Sequence, residues 1–365
     1  MVRRHALGFA LIFAAVACSD GRRPVLTTFY PTYGYLNETG DEWTIPVRVW
    51  VHSPHVRTQG QLESVVGGLA SLPAEGRERE LFGERIADIV GDSRSRQSVR
   101  FVFDEDPQGE TFRVATDRGE SPPSDLNGVV EGKIRLSRAR ADEILRAQSS
   151  DGSLTQRETS PGRGGSGRVL LVPPEGRSVV SDIDDTVKIT EIPAGAEIVF
   201  RNTFLREFVA APGMVERYRS LAEAGCVFHF VSGGPWQLYG PLSRFLSDAG
   251  YPEGTFHMKG VPKNLLTVAT WQGLHRLAQG NATFEQKVSQ ISELLERFPR
   301  RRFILIGDSG EQDPEVFRAI RDRFGGQVEA IYIRHVLPGA PGARLAGMKV
   351  IPADPVRAGI SALGR

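Results

Sequence analysis

Hydrophobic positions change their spacing along the chain, and each change marks a boundary. From Ile45 to Val51, "TIPVRVWVHS" alternates apolar and polar residues, the period of a strand with one buried face. The stretches "SVRFVF" (98–103), "TFRVAT" (111–116) and "GVVEGKIRLS" (128–137) repeat that pattern, whereas Leu81, Ile86, Ile89 and Val90 in "ERELFGERIADIV" are spaced for one helix. Residues 25–147 are therefore predicted to form a small, mainly antiparallel β domain with a single helical insertion. It shows no chemistry of its own. The next stretch, 148–168, is polar, rich in Gly and Ser and without period, which predicts a linker or long surface loop.

Over residues 169–365 the pattern changes again. Apolar runs "SVVSD", "CVFHFVS", "RFILIGDS" and "VEAIYIR" alternate with helical stretches near 214–224, 236–249, 284–297 and 314–324. Strands separated by crossover helices predict an α/β domain whose parallel sheet is covered on both faces. Such a sheet gathers its functional groups in the crevice at the carboxyl ends of its strands.

Composition and the chain's first residues add to this picture. A length of 365 residues fits about two domains, and a net charge of +1 lacks the basic excess of a protein that tracks nucleic-acid phosphates. Arg3 and Arg4 precede "ALGFALIFAAVA", a run too short to span a bilayer but fitted to a signal-peptide core, so residues 1–17 are expected to direct export. Ala15-Val16-Ala17 stands directly before Cys18: one reading is a lipobox with Cys18 lipidated at a bacterial cell envelope, the other an ordinary cleavage site of a periplasmic or secreted protein. Cys226 opens the apolar run "CVFHFV" and reads as a small buried hydrophobe.

The candidate chemistry lies at the ends of three apolar strands. "VVSDIDDTVKIT" places three carboxylates within residues 182–185, a density that raises carboxyl pKa values unless a cation or substrate offsets the repulsion. Alternate residues leaving a strand face one side, so Asp182 and Asp184 are expected to share a site while Asp185 points elsewhere. A calcium loop does not fit, because Val187 and Pro193 occupy the positions where an EF-hand needs Gly and Glu. The second strand ends in Ser232-Gly233-Gly234-Pro235-Trp236, where the glycines let the backbone approach an oxyanion. The third ends in Asp308, with Asp313 and Pro314 opening the next helix, and Lys287 lies on the amphipathic helix just upstream.

Taken together, "SDIDDTVKIT", "PGMVERYRSL", "FVSGGPWQLYGPLSRFL", "FPRRRFILIGDSGEQDPEVF" and "AIYIRHV" resemble the haloacid dehalogenase-like (HAD-like) phosphotransferases and, more closely, the catalytic domain of the actin-patch phosphatidate phosphatase family, related to lipin-type phosphatases. The resemblance spans about Val179 to Val336. It departs at Gly233-Gly234, where the family more often has Ser, and at Lys259-Gly260, where an Arg-Asp pair is commoner. It implies a HAD-like Rossmannoid fold and a phosphatase working through an aspartyl-phosphate. Asp182 would be the nucleophile and Asp184 the general acid and base; Ser232 and Lys287 would hold the phosphoryl oxygens, with Asp313 and Thr186 in support. Mg²⁺ would be held by Asp182, the Asp184 carbonyl and Asp308, and the stretch from Lys188 to Phe200 would be a flap, with a simple surface hairpin as the alternative. The implied substrate is phosphatidate, met at the membrane surface; a soluble nucleotide or sugar phosphate, or a non-catalytic phosphate-binding envelope protein, are the alternatives.

Overall fold

The computed structural model of the chain describes residues 24–53, 75–148, 152–260, 281–339 and 342–353. The expected signal segment, Cys18 and the part of "HMKGVPKNLLT" beyond Gly260 lie outside the described residues. Among the described residues no helix is long and apolar enough to cross a membrane.

Strands β1 (Val25–Phe29), β2 (Thr32–Leu36), β3 (Glu42–Ser53), β4 (Asp92–Ser93), β5 (Arg100–Phe103), β6 (Phe112–Arg113), β7 (Val129–Ser137), β8 (Ser153–Glu158), β9 (Arg163–Gly164) and β10 (Ser166–Leu171) form one sheet. Its order is β6-β5-β8-β10-β2-β3-β1-β9, with β4 and β7 also paired to β3. All pairs are antiparallel except β1 with β9 and β2 with β10. The alternation seen in β3 has its expected result: Ile45, Val47, Val49 and Val51 are buried in one core with Val130, Ile134 and Leu136 of β7.

Two expectations fail here. The stretch 148–168 is no linker, since β8 pairs with both β5 and β10 and buries Leu154 against the same core as Val169. Its pattern was hidden because Ser153, Gln156 and Glu158 are polar yet buried, so burial leaves no apolar alternation to read. The β region accordingly runs on to Leu171. The helical insertion α1 (Arg77–Val90) does not complete the β core either; its Phe82 and Ile86 pack into the core of the second sheet, beside Phe200 and Phe204. A further helix, α2 (Arg138–Gln148), follows β7 directly and buries Ala141 and Ile144.

The second sheet comprises β11 (Glu175–Ser181), β12 (Val227–Pro235), β13 (Gly254–Lys259), β14 (Arg300–Asp308), β15 (Val328–His335) and β16 (Lys349–Pro352), in the order β13-β12-β11-β14-β15-β16. Every pair is parallel. Helices α3 (Ala196–Phe200), α4 (Met214–Glu223), α5 (Tyr239–Ala249), α6 (Asn281–Arg297) and α7 (Asp313–Phe324) supply its covering layers. Because successive side chains point to opposite faces, Val179, Ile304 and Ile306 pack with Met214, Tyr218, Leu242 and Leu246. Val180, Phe303 and Leu305 pack instead with Leu294, Leu295, Phe317 and Ile320. This is the doubly covered α/β sheet expected from the sequence.

The two sheets meet intimately. Tyr30 lies 4.5 Å from the Trp236 ring and 5.4 Å from Tyr239, and the Arg48 guanidinium sits 5.1 Å over Trp236. Tyr33 of β2 belongs to the second sheet's core, 5.6 Å from Phe298. Arg301 is buried beneath the connection between β10 and β11, donating to the carbonyls of Pro173 (2.7 Å), Glu175 (2.5 Å) and Arg177 and to Ser178 Oγ (3.0 Å).

Candidate active site

Three neighbouring parallel strands, β12, β11 and β14, bring Ser232, Asp182 and Asp308 to one end of the sheet. Lys287, on the inward face of α6, is buried and reaches Asp182 Oδ1 (2.8 Å), Glu311 Oε2 (2.9 Å) and Asp313 Oδ1 (2.7 Å). Asp313 at the start of α7 also accepts the Asp308 backbone N–H at 3.1 Å. That approach requires Gly307, because a Cβ there would stand 2.3 Å from Asp313 Oδ2.

The cluster has more carboxylates than cations. Asp182, Asp308, Glu311 and Asp313 each offer an oxygen within 4.8 Å of the others, so the group could hold a metal ion. Asp308 Oδ1 accepts the N–H groups of Gly310 (2.6 Å) and Glu311 (3.1 Å), but Asp308 Oδ2 and Asp182 Oδ2 are buried without a partner among the described residues, as is Thr186 Oγ1. A set of hard oxygen donors with two unanswered carboxylate oxygens fits a cation of the Mg²⁺ or Ca²⁺ class.

The electrostatics agree. Burial, reinforced by Asp313, Glu311 and Asp184, holds Asp182 well above the ordinary carboxylate value despite Lys287. Burial and the neighbouring Asp313, Glu311 and Asp182 do the same for Asp308, and burial lifts Glu311 to about 7 against the pull of Lys287. Burial would drive Lys287 down, but Asp182, Asp313 and Glu311 outweigh it and hold the ammonium well above its usual value. Desolvated carboxylates favour the neutral form unless positive charge arrives.

Asp184 occupies a different environment. Its Oδ1 accepts from Lys188 Nζ (2.6 Å) and Thr190 Oγ1 (2.7 Å), and its carboxylate is not part of the acidic cluster. Burial pushes it upward, yet Lys188 and Thr190 prevail and hold it below the usual range. Asp185 does point elsewhere. In the left-handed region at φ 56°, it turns its carboxylate onto the N–H groups of Thr190 (2.9 Å), Glu191 (2.7 Å) and Ile192 (2.6 Å), while Arg334 Nη1 donates to its carbonyl at 2.8 Å.

The expected flap is helical: a 3₁₀ turn at Ile192–Ala194 runs into α3 and a π turn at Arg201–Leu205, so the hairpin alternative fails. Its Ile192, Val199 and Thr203, with Phe208, Leu238 and Leu242, wall a cleft whose polar lining is Asp184, Lys188, Ser232 and Glu311. Ser232 Oγ accepts from the Gly234 N–H at 2.9 Å. After it, Trp236 and Tyr239 pack on Tyr30, whereas Pro235 and Leu238 line the cleft.

The structure thus gathers Asp182, Lys287, Asp308 and Asp313, with Asp184 and Ser232 at the adjoining cleft. Sequence reading missed Glu311, Lys188 and Thr190. Glu311 had a usable signal, an acid three residues beyond a strand-end Asp; Lys188 and Thr190 had none beyond lying next to the carboxylates.

Known proteins share this segment. The family model for the catalytic domain of phosphatidate phosphatase APP1 matches residues 177–335. Phosphatidate phosphatase APP1 of Saccharomyces cerevisiae is 32% identical over 166 residues, 45% of this chain and 26% of that protein. An uncharacterized protein of Schizosaccharomyces pombe is 30% identical over 168 residues, 44% of this chain and 26% of its own. The chain thus spans about a quarter of the length of either relative. A solved class C acid phosphatase from Bacillus anthracis, 16% identical, overlaps 42% of this chain and 64% of its own with a TM-score of 0.26, too low to bear on the fold. The strand-end carboxylates, Ser232 and Lys287 all lie inside residues 177–335, the segment that matches the model of the phosphatidate phosphatase APP1 catalytic domain.

Proposed function

We propose that the protein is a Mg²⁺-dependent phosphatase that hydrolyses phosphatidate through an aspartyl-phosphate on Asp182. The observation that carries this reading is the pair of buried, unpartnered oxygens on Asp182 and Asp308 beside Lys287, at the carboxyl ends of adjacent strands. Asp182, Asp308 and the neighbouring acids would hold the cation, which would supply charge neutralisation for the phosphoryl group. Phosphoryl transfer asks the protein chiefly for positioning and electrostatic stabilisation.

In the first half-reaction an Asp182 oxygen bonds to phosphorus while the bond from phosphorus to the leaving oxygen breaks. The electron pair stays on that oxygen, which takes a proton from Asp184; Asp184, ionised in the free site, first receives that proton from the entering phosphate monoanion. In the second half Asp184 accepts a proton from water as water attacks phosphorus and Asp182 is released. Ser232 Oγ already accepts from Gly234, so its own proton is available to a phosphoryl oxygen. Lys287 neutralises charge from beneath.

The lipid is favoured over a soluble ester by the kinship with phosphatidate phosphatase and by the apolar wall of Ile192, Val199, Phe208, Leu238 and Leu242 beside Asp184. An N-terminal anchor at Cys18 would place the enzyme at the surface where such a lipid lies. The test is a substrate panel with purified protein and Mg²⁺. Higher kcat/KM is expected on phosphatidate in mixed micelles than on glycerol 3-phosphate or a nucleotide, because binding of the remote acyl chains helps position the phosphate. Equal or better turnover of the soluble esters discards the lipid, and no phosphate release from any ester discards the phosphatase.

A further inference from the structure

Lys188 is 2% exposed, and burying an ammonium is costly unless partners compensate. Its partners are Asp184 Oδ1 at 2.6 Å, Thr190 Oγ1 at 2.5 Å and the Phe208 ring, 5.1 Å from Nζ. Thr190 in turn donates to the same Asp184 oxygen, and its own backbone N–H is fixed by the Asp185 carboxylate. The backbone repeats the closure: Lys188 N–H donates to the Ile183 carbonyl at 3.1 Å, and Asp185 N–H to the Lys188 carbonyl at 2.8 Å. One Asp184 oxygen is thus held twice, while its side chain stays 22% exposed and lines the cleft together with Ser232. No hydrogen bond holds the other oxygen among the described residues.

The geometry points to Lys188 and Thr190 as positioning residues that hold Asp184 by Oδ1 and thereby commit Oδ2 to the leaving oxygen of the ester. This rests on the phosphatase reading above. As the bond from phosphorus to the leaving oxygen breaks, the proton passes from Asp184 Oδ2 to that oxygen, and the negative charge left on the carboxylate develops beside the Lys188 ammonium. Lys188 is thereby assigned to the leaving-group side of the reaction, and Lys287 to the phosphoryl side. Among the described residues, the side-chain hydrogen bonds of Lys188 and Thr190 go to each other and to Asp184, not to the acidic cluster.

The leaving group distinguishes the roles. A p-nitrophenolate departs without needing a proton, whereas the alkoxide of an alkyl phosphate needs one; kcat/KM reports the half-reaction in which it leaves. With Mg²⁺ present, Lys188→Met should lower the ratio of kcat/KM on an alkyl phosphate to kcat/KM on p-nitrophenyl phosphate by about 10-fold or more, within the reach of lost general-acid catalysis. Thr190→Val should lower it in the same direction, Lys188→Arg and Thr190→Ser should each restore part of it, and thermal midpoints separate any variant that fails to fold. Thr190→Val keeps the backbone bond to Asp185, so it tests the idea even if Lys188→Met is unstable. Equal losses on both esters would mean that Lys188 binds the phosphate or merely supports the fold, and an unchanged ratio would mean that it does not act on Asp184; either overturns the assignment. Failure of the wild-type protein on both esters and on phosphatidate in mixed micelles would instead remove the phosphatase reading itself.

Discussion

Two aspartates, one beside each sheet, both have side chains closed off from solvent and are answered differently. Asp106, in the β region, has no exposed side-chain surface, yet both of its oxygens are used: it accepts the N–H groups of Gln108 (2.8 Å) and Glu110 (3.1 Å) and is paired to Arg140. Burial lifts its carboxyl, but those two N–H groups and Arg140 outweigh it and hold the pKa below the ordinary value. Asp308 is also fully buried, but one oxygen has no partner among the described residues, its charged neighbours are further acids, and its carboxyl is held well above the ordinary value. The difference teaches where to look for a ligand. A buried charge whose partners are all within the chain supports the fold, and one left short of partners marks a place where something from outside must bind.

The largest expected effect lies on the Asp308 side. Asp308→Asn should cut kcat/KM by roughly 10²-fold or more, beyond the loss seen when only an outer-shell partner of a metal is removed. In chelator the thermal midpoint of this variant should equal or exceed that of wild type, because the substitution relieves repulsion among acids. A variant that kept wild-type turnover would break the contrast.

Asp106→Asn should do the reverse. Activity at 25 °C should stay within about twofold while unfolding free energy falls by ~1–3 kcal/mol, the cost of unmaking hydrogen bonds to a buried group. Urea melts beside phosphate-release assays would show it; unchanged stability would remove Asp106 as the reference case.

The smallest effect sharpens the comparison through pH. Glu311 releases its proton near 4.5 when unfolded and near 7 when folded, so between those values the folded chain binds more protons. Stability of the chelated protein should therefore fall as pH rises through that window, and the upward shifts of Asp182 and Asp308 act in the same sense. Mg²⁺ should oppose the fall at the upper end by binding only the folded state. Urea melts at both ends of the window, with chelator and with Mg²⁺, provide the check; stability that rises with pH in chelator would contradict the shifts.

Much of this site was legible in the sequence because parallel strands deliver residues to one end. Once "SVVSD", "VFHFVS" and "RFILIGD" were read as strands, Asp182, Ser232 and Asp308 had to be neighbours if those strands were adjacent. Lys287 and Asp313 were flagged by the family pattern. What stayed hidden depends on side-chain direction. Lys188 and Thr190 reach Asp184 only because Asp185 takes a left-handed backbone conformation and folds the chain back, which spacing alone does not reveal. In the fold, β8 was invisible for a different reason: an interior strand satisfies its backbone on both edges whatever its side chains, so a polar strand carries no apolar period.

The hydrogen bonds of Arg301 and the packing between the two sheets bear on heredity as well as on stability. The likeness to relatives begins at residue 177, but the core beneath that segment is completed by Tyr33, Phe82, Ile86 and Val172, and the Arg301 guanidinium is satisfied by carbonyls at Pro173 and Glu175. All of these residues precede the shared segment. A chain started at its boundary would expose apolar surface on both faces of the sheet and leave a buried cation short of acceptors. In this chain the segment shared with relatives is therefore shorter than the unit that folds.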